Sequence, residues 1–213
     1  MKRSVSLSLY AGALVISALV FSLGLLMGMQ LTQGFAVSIQ KDMERLKTES
    51  YVVELIASSQ NASALCGFYE KQVERFGVGT GEIGKKLGFL ESQGGSDAAS
   101  LKEEYFAMEL RDYLLLKKIN SICGKKYVPV LYFLSSANCP SCWQQGQIVS
   151  QAKAAAPEKI MVYSFDVDSD SPAAEAAKSI YGVTAVPSLV VGETVLSGFQ
   201  ALDSVTAAVS KQT

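Results

Sequence analysis

The 213-residue chain contains no histidine. That absence excludes serine–histidine and cysteine–histidine nucleophilic catalysis and every imidazole-ligated metal site. Whatever chemistry the chain performs runs on thiols, carboxylates, lysine or backbone groups. Also missing is a dense Lys/Arg cluster interleaved with aromatics. The 19 basic and 20 acidic side chains give a net charge of -1, so nothing points to a nucleic-acid partner. A third gap is local: no charged residue lies between Arg3 and Lys41, and Val5 to Leu31 is apolar apart from small residues and Gln30.

A helix needs roughly 20 such residues to cross a bilayer, whereas the apolar region of a secretory signal is about 7–15 residues long. Gly34-Phe35-Ala36 is a poor small-x-small cleavage site. Length therefore predicts an uncleaved anchor over residues 1–34, with a cleaved signal as the competing reading. Lys2 and Arg3 precede the span, so the positive-inside rule places the amino end in the cytoplasm and everything from about residue 35 outside, a single pass through the cell membrane. Gly24 and Gly28 have the G-x-x-x-G spacing of close helix pairing, but small residues are common in such helices and chance explains the spacing.

With 49% hydrophobic residues the chain can bury a core in one or two domains. Its four cysteines, an even number, fit two disulfides in the oxidising space that export implies. One pair is Cys139-Pro140-Ser141-Cys142, directly after the apolar run Val128–Leu134. If a helix follows, one sulfur sits at its first turn and the other one turn in, which is a redox arrangement. Half of a zinc site has the same spacing, so zinc held by all four cysteines stays open. Cys66 and Cys123, 57 positions apart, read as a structural disulfide worth roughly 4 kcal/mol in the chain-entropy model. A second redox pair exchanging electrons with the first is the alternative.

Residues 35–124 read as an extracytoplasmic helical segment. From Val37 to about Phe76, Ile39, Met43, Leu46, Val53 and Ile56 recur at helical intervals, predicting an amphipathic helix continuing out of the membrane. Leu101, Tyr105, Met108, Asp112, Leu115, Ile119 and Ile122 form a stripe predicting a helix from about 100 to 122, with Gly124 as its stop. Gly77 to Gly95 reads as a flexible loop between helices. Within it Gly79 to Gly84 fits G-x-G-x-x-G and Gly79 to Lys85 fits G-x-x-x-x-G-K, but Lys86 stands where a phosphate loop needs Ser or Thr, and no buried strand precedes. Asn61-Ala62-Ser63 is a glycosylation sequon.

In residues 125–213, Val128–Leu134 and 159–166 read as strands, 146–156 and 173–181 as helices, 187–191 with 194–196 as a hairpin, and 202–209 as a closing helix. The order β-α-β-α-β-β-α calls for a small mixed sheet, part parallel and part antiparallel, flanked by helices: an α/β fold class.

A strand leading into C-P-S-C, then about forty-five residues later Ile180-Tyr181-Gly182-Val183-Thr184-Ala185-Val186-Pro187, then Gly198 ahead of a last helix, resembles the thioredoxin superfamily in order and spacing over roughly residues 126–213. The resemblance implies a thioredoxin-like domain at 125–213 and a cis Val186-Pro187 bond whose backbone binds an extended substrate segment. It also implies that Cys139 is the nucleophile and Cys142 the more buried resolving thiol, with Pro140 and Ser141 tuning the redox poise. At a helix amino terminus the Cys139 thiol is expected below the free value of about 8.5. Two departures stand out. Ser141 replaces the His of the family's strong oxidants, and Phe133 stands where many relatives keep a buried carboxylate for proton transfer. The resemblance thus implies a membrane-tethered thiol–disulfide oxidoreductase that needs no cofactor, acts on exported proteins carrying thiols or disulfides, and has an integral-membrane redox partner. A non-catalytic thioredoxin-like binding subunit of a membrane complex is the alternative.

Overall fold

The computed structural model describes residues 7–59, 62–94 and 98–212. Lys2 and Arg3, on which the topology expectation rests, and Asn61 of the sequon lie outside the described residues. The chain is mixed α/β: a four-stranded sheet with helices around it, and one long apolar helix at the amino end.

That helix, α1, runs unbroken from Leu7 to Ala57. Its 19 residues Tyr10–Gly28 are long and apolar enough to span a membrane or act as a signal sequence, and none of them is buried in the protein. Its second half is amphipathic. Ile39, Met43, Leu46, Ser50, Val53 and Ala57 fall at alternating four- and three-residue steps and are all buried, the stripe that lets a helix pack along its length.

The helix expected to continue to Phe76 ends instead at Ala57. Ser58 and Ser59 donate their N–H groups to the carbonyls of Leu55 and Ile56 in a closing turn, where the buried stripe stops and small polar residues begin. After a 3-10 turn at Ala62–Leu65, helix α2 spans Cys66–Ser92. This corrects the loop expected at Gly77 to Gly95, most of which is helical. Tyr69, Val73, Phe76, Thr80, Ile83, Leu87 and Leu90 keep the same four-three spacing straight through the glycines and are buried. Each helical glycine costs about 0.5–1 kcal/mol relative to alanine, but several permit close approach. A Cβ on Gly79 would stand 2.7 Å from Leu46 Cδ1, and one on Gly84 would stand 2.9 Å from Tyr105 Oη. Buried next to the glycines, this face outweighs their propensity cost. Gly79 to Lys85 lies inside the helix, its amides committed to the helical ladder, so the phosphate-loop look-alikes have no free N–H cradle.

Helix α3, Ala98–Cys123, matches the predicted stripe. Gly124 takes φ +87°, a left-handed stop that glycine adopts without strain. Helices α1, α2 and α3 pack on one another, and α3 also packs against the sheet.

The strands are β1 (Val128–Leu134), β2 (Ile160–Asp166), β3 (Ser188–Val191) and β4 (Thr194–Ser197), in spatial order β2-β1-β3-β4. β1 and β2 are parallel, with Val130 opposite Val162. β3 is antiparallel to both β1 and β4, with Tyr132 opposite Leu189. The parallel crossover is made by α4 (Pro140–Ala155). Helix α5 (Pro172–Ile180) follows β2, and α6 (Leu202–Ser210) closes the chain. Strand alternation splits the core. Leu131, Phe133, Tyr163, Phe165 and Val190 pack with α1, α2, α3 and α5. Val130, Tyr132, Leu189 and Val191 pack with Val149 of α4 and Val205 of α6. The first cluster runs without interruption from Ile39 to Val190, so the boundary drawn between residues 124 and 125 is crossed by a shared core.

Candidate functional site: a disulfide at a helix amino terminus

Cys139 and Cys142 are joined in a disulfide. Strand β1 ends at Leu134, residues 135–138 turn, and Cys139 caps α4 with Pro140 in its first turn, where the missing N–H costs nothing. Cys139 makes no side-chain cap bond, and its carbonyl accepts from Cys142 N at 3.0 Å. Cys139 is partly accessible, whereas Cys142 is 3% exposed. Ser141 Oγ lies 3.6 Å from Cys139 Sγ; Pro140 is exposed and Ser141 half-buried beside the pair. The Tyr132 hydroxyl, on the neighbouring strand face, donates to the Cys142 carbonyl, and burial pushes that phenol up to about 12. It is a fixed neutral donor.

The turn ahead of Cys139 is held by two carboxylates from the end of β2. In the β1–β2 register Leu134 stands opposite Asp166. Asp166 accepts from Ser136 N and Oγ, and Asp168 accepts from Ser135 Oγ at 2.6 Å and Ala137 N at 3.1 Å. Burial opposes the charge on Asp166, but hydrogen bonds from Lys102, Ser136 and Asp168 N outweigh it and hold its pKa below the usual carboxylate value. Farther along α4, Gln145, fully buried, accepts from Gln200 N at 2.6 Å and donates to Gln200 O at 3.3 Å. That bond ties the segment after β4 to the cysteine helix. Sequence reasoning passed over Asp166, Asp168 and Gln145. For the two acids a signal existed, because in a parallel β-α-β unit the loops after the two strands meet at the same sheet end.

The Val186-Pro187 bond is cis. Ser188 pairs with Phe133 near the carboxyl end of β1, so Pro187 enters β3 at the sheet end from which the cysteine loop leaves. Phe133 itself is fully buried and stacks on Phe165 at 5.7 Å. Its position is wholly apolar.

Cys66 and Cys123 form a second disulfide, between the first residue of α2 and the last of α3, with Cα atoms 5.6 Å apart. The four cysteines are thus two separate bonded pairs, and among the described residues no three Cys, Asp or Glu side chains come together as a metal site. Zinc held by all four finds no support.

A different concentration of chemistry was not anticipated. Glu109 of α3 is 1% exposed and accepts from Ser164 N, on the outer edge of β2, at 3.2 Å. Burial pushes its pKa up to about 8, with the Asp112 charge adding to the rise against hydrogen bonds from Tyr105 and Ser164. Asp112, bonded to Ser50 of α1 at 3.0 Å, is pushed up to about 6 by burial.

No family model matches the chain, and no curated protein sequence matches it. Among solved structures, one described as a malarial protein is similar over 40% of this chain and 97% of that one, at 19% identity and a TM-score of 0.35. A likeness that loose supports no inference about fold family or activity.

Proposed function

We propose that the chain is a membrane-tethered thiol–disulfide oxidoreductase with a thioredoxin-like domain, acting on exported proteins through Cys139 and Cys142. One observation carries the reading: a bonded C-x-x-C pair at the amino terminus of α4, directly after a buried parallel strand, with the first sulfur accessible and the second enclosed. The order of elements and the meeting of the Pro187 and Cys139 loops at one sheet end agree with it. The apolar span of α1 supports anchoring, and Lys2 and Arg3 support a cytoplasmic amino end.

The exchange needs no cofactor. A client thiolate attacks Cys139 Sγ of the oxidised pair, forming a client–Cys139 disulfide and releasing Cys142 as the leaving thiolate. A second client thiolate then attacks the client sulfur and expels Cys139. The client leaves with one disulfide, and the pair holds the two electrons and takes up two protons. Run backwards, the same steps reduce a client. Direction follows the relative reduction potentials, and an integral-membrane partner resets the pair. The helix terminus stabilises Cys139 as a thiolate. With Phe133 in an apolar stack, Cys142 exchanges its proton with water.

In cells Cys142→Ser should accumulate mixed disulfides through Cys139, and Cys139→Ser should trap none and lose activity. Full activity of Cys139→Ser with no trapped clients in Cys142→Ser would sink the proposal. A reduction potential for the 139/142 pair near about −270 mV marks a reductant, and one near about −120 mV an oxidant.

A further inference from the structure

A cavity of about 730 Å³ opens beside the turn that carries Cys139. Its floor includes Ser136, three residues before the first cysteine, and Asp166. Its walls come from the loop after β2, with Asp168, Asp170 and Ser171, and from the α2 end and α3 start, with Glu91, Lys102 and Glu103. Among the described residues the only cation lining it, Lys102, sits 2.7 Å from both Glu91 and Asp166 and is committed to that pair. Among the described residues, Glu103, Asp168 and Asp170 meet no cation and are exposed. Asp168 is engaged only by neutral donors, Ser135 Oγ and Ala137 N.

Acidic side chains alone are a solvated surface. The observation that turns these into a site is Ser171. It is 3% exposed, lines the same cavity, and its Oγ has no hydrogen-bond partner. A buried hydroxyl left unmatched is destabilising, and a ligand N–H reaching the cavity wall removes that cost. The carboxylates do not converge as metal ligands do. They are spread along the trough, which suits an elongated cation with several N–H donors.

We infer that this trough selects clients by charge: it takes a lysine or arginine side chain flanking the reactive cysteine of a client, holding that cysteine over Cys139. The inference rests on the oxidoreductase reading and names its substrate class. The cation lies against Asp168, Asp170 and Glu103, and one of its N–H groups meets Ser171 Oγ. Cysteine-containing segments flanked by acidic residues are repelled from the same place. Because the carboxylates are exposed, the preference is screened within about 10 Å at 0.1 M salt.

The redox state of the 139/142 pair is read by quenching the reaction in acid, alkylating the free thiols and locating the alkylated cysteines by peptide mass spectrometry, which separates this pair from Cys66 and Cys123. The test mixes the full chain in a neutral detergent with three dithiol peptides that differ only in flanking residues: two lysines, two serines or two glutamates. The lysine peptide should react about tenfold faster than the serine peptide at low salt, within the range of electrostatic steering, and the glutamate peptide slower. The ratio should fall toward one in 0.5 M salt. It should also fall in a Glu103→Lys/Asp170→Lys variant, where each protein is compared with its own serine-peptide rate, so altered folding cancels. Equal rates for all three peptides, or a lysine preference that survives the double substitution, overturn the inference while the oxidoreductase reading stands. If neither the peptides nor dithiothreitol open the Cys139–Cys142 disulfide, the oxidoreductase reading fails and takes the inference with it.

Discussion

Replacing Glu109 by glutamine should change how the stability of the protein depends on pH. In the folded chain Glu109 titrates near 8, raised from 4.5 chiefly by burial. A carboxyl with a raised folded pKa is stabilising relative to its ionised form below the unfolded value, and that stability is lost as pH climbs toward the folded value. Between about pH 4.5 and 8 the folded state holds a proton that the unfolded state releases, so each pH unit removes about 1.4 kcal/mol. The full interval corresponds to about 5 kcal/mol, an upper bound for a site that can relax. Glutamine keeps an oxygen for Ser164 N and Tyr105 Oη but cannot ionise. Guanidinium unfolding of the full chain in detergent at pH 5.5 and 7.5 is the assay. The Glu109→Gln variant should gain roughly 2–3 kcal/mol on wild type across that interval, about 0.5 M in midpoint for a slope near 5 kcal/mol per molar. Asp112, raised from 3.8 to about 6, adds its own slope at lower pH in both proteins and largely cancels in the difference. A difference that stays flat between pH 5.5 and 7.5 would refute the assignment of Glu109 as a buried neutral acid.

Two further substitutions test the helical layer. Removing the Cys66–Cys123 bond with paired alanines should lower stability by roughly 4 kcal/mol, read as an earlier unfolding midpoint. If Cys139 and Cys142 still exchange with a dithiol peptide at the wild-type rate under native conditions, read by thiol alkylation, the bond is structural, and loss of exchange in a folded double variant would instead make it a redox relay. Gly81 faces open space in α2, so Gly81→Ala should stabilise by about 0.5–1 kcal/mol. Gly84→Ala must displace Tyr105 Oη and should destabilise by about 1–3 kcal/mol. Equal effects from the two would mean that α2 does not pack as described.

The four strands were legible as short apolar, β-branched or aromatic runs bounded by turn residues, and α3 because its stripe runs with little interruption. Helix α2 was not, though its signal was present. Tyr69, Val73, Phe76, Thr80, Ile83, Leu87 and Leu90 hold a regular four-three spacing, yet five glycines interleave with them and glycine reads as a breaker. The close passage of Leu46 and Tyr105 explains Gly79 and Gly84, and that of Met161 explains Gly77, while Gly81 and Gly88 face open space. The cysteine pair and the Val186-Pro187 turn could be located from spacing, and the Asp166 and Asp168 supports follow once β1 and β2 are known to be parallel neighbours. Glu109 could not be found this way. A glutamate on a helix reads as solvent-facing, and its burial depends on how α3 crosses the edge of β2, a tertiary fact with no local trace.

The unbroken course of α1 has a mechanical consequence. Between Gly28 and Ala57 the helix rises about 43 Å at 1.5 Å per residue, and its later turns are built into the same core as the sheet. There is no joint. A turn of the apolar segment about its own axis is transmitted to the body it carries, so the Cys139–Cys142 disulfide keeps a set height and heading relative to that segment.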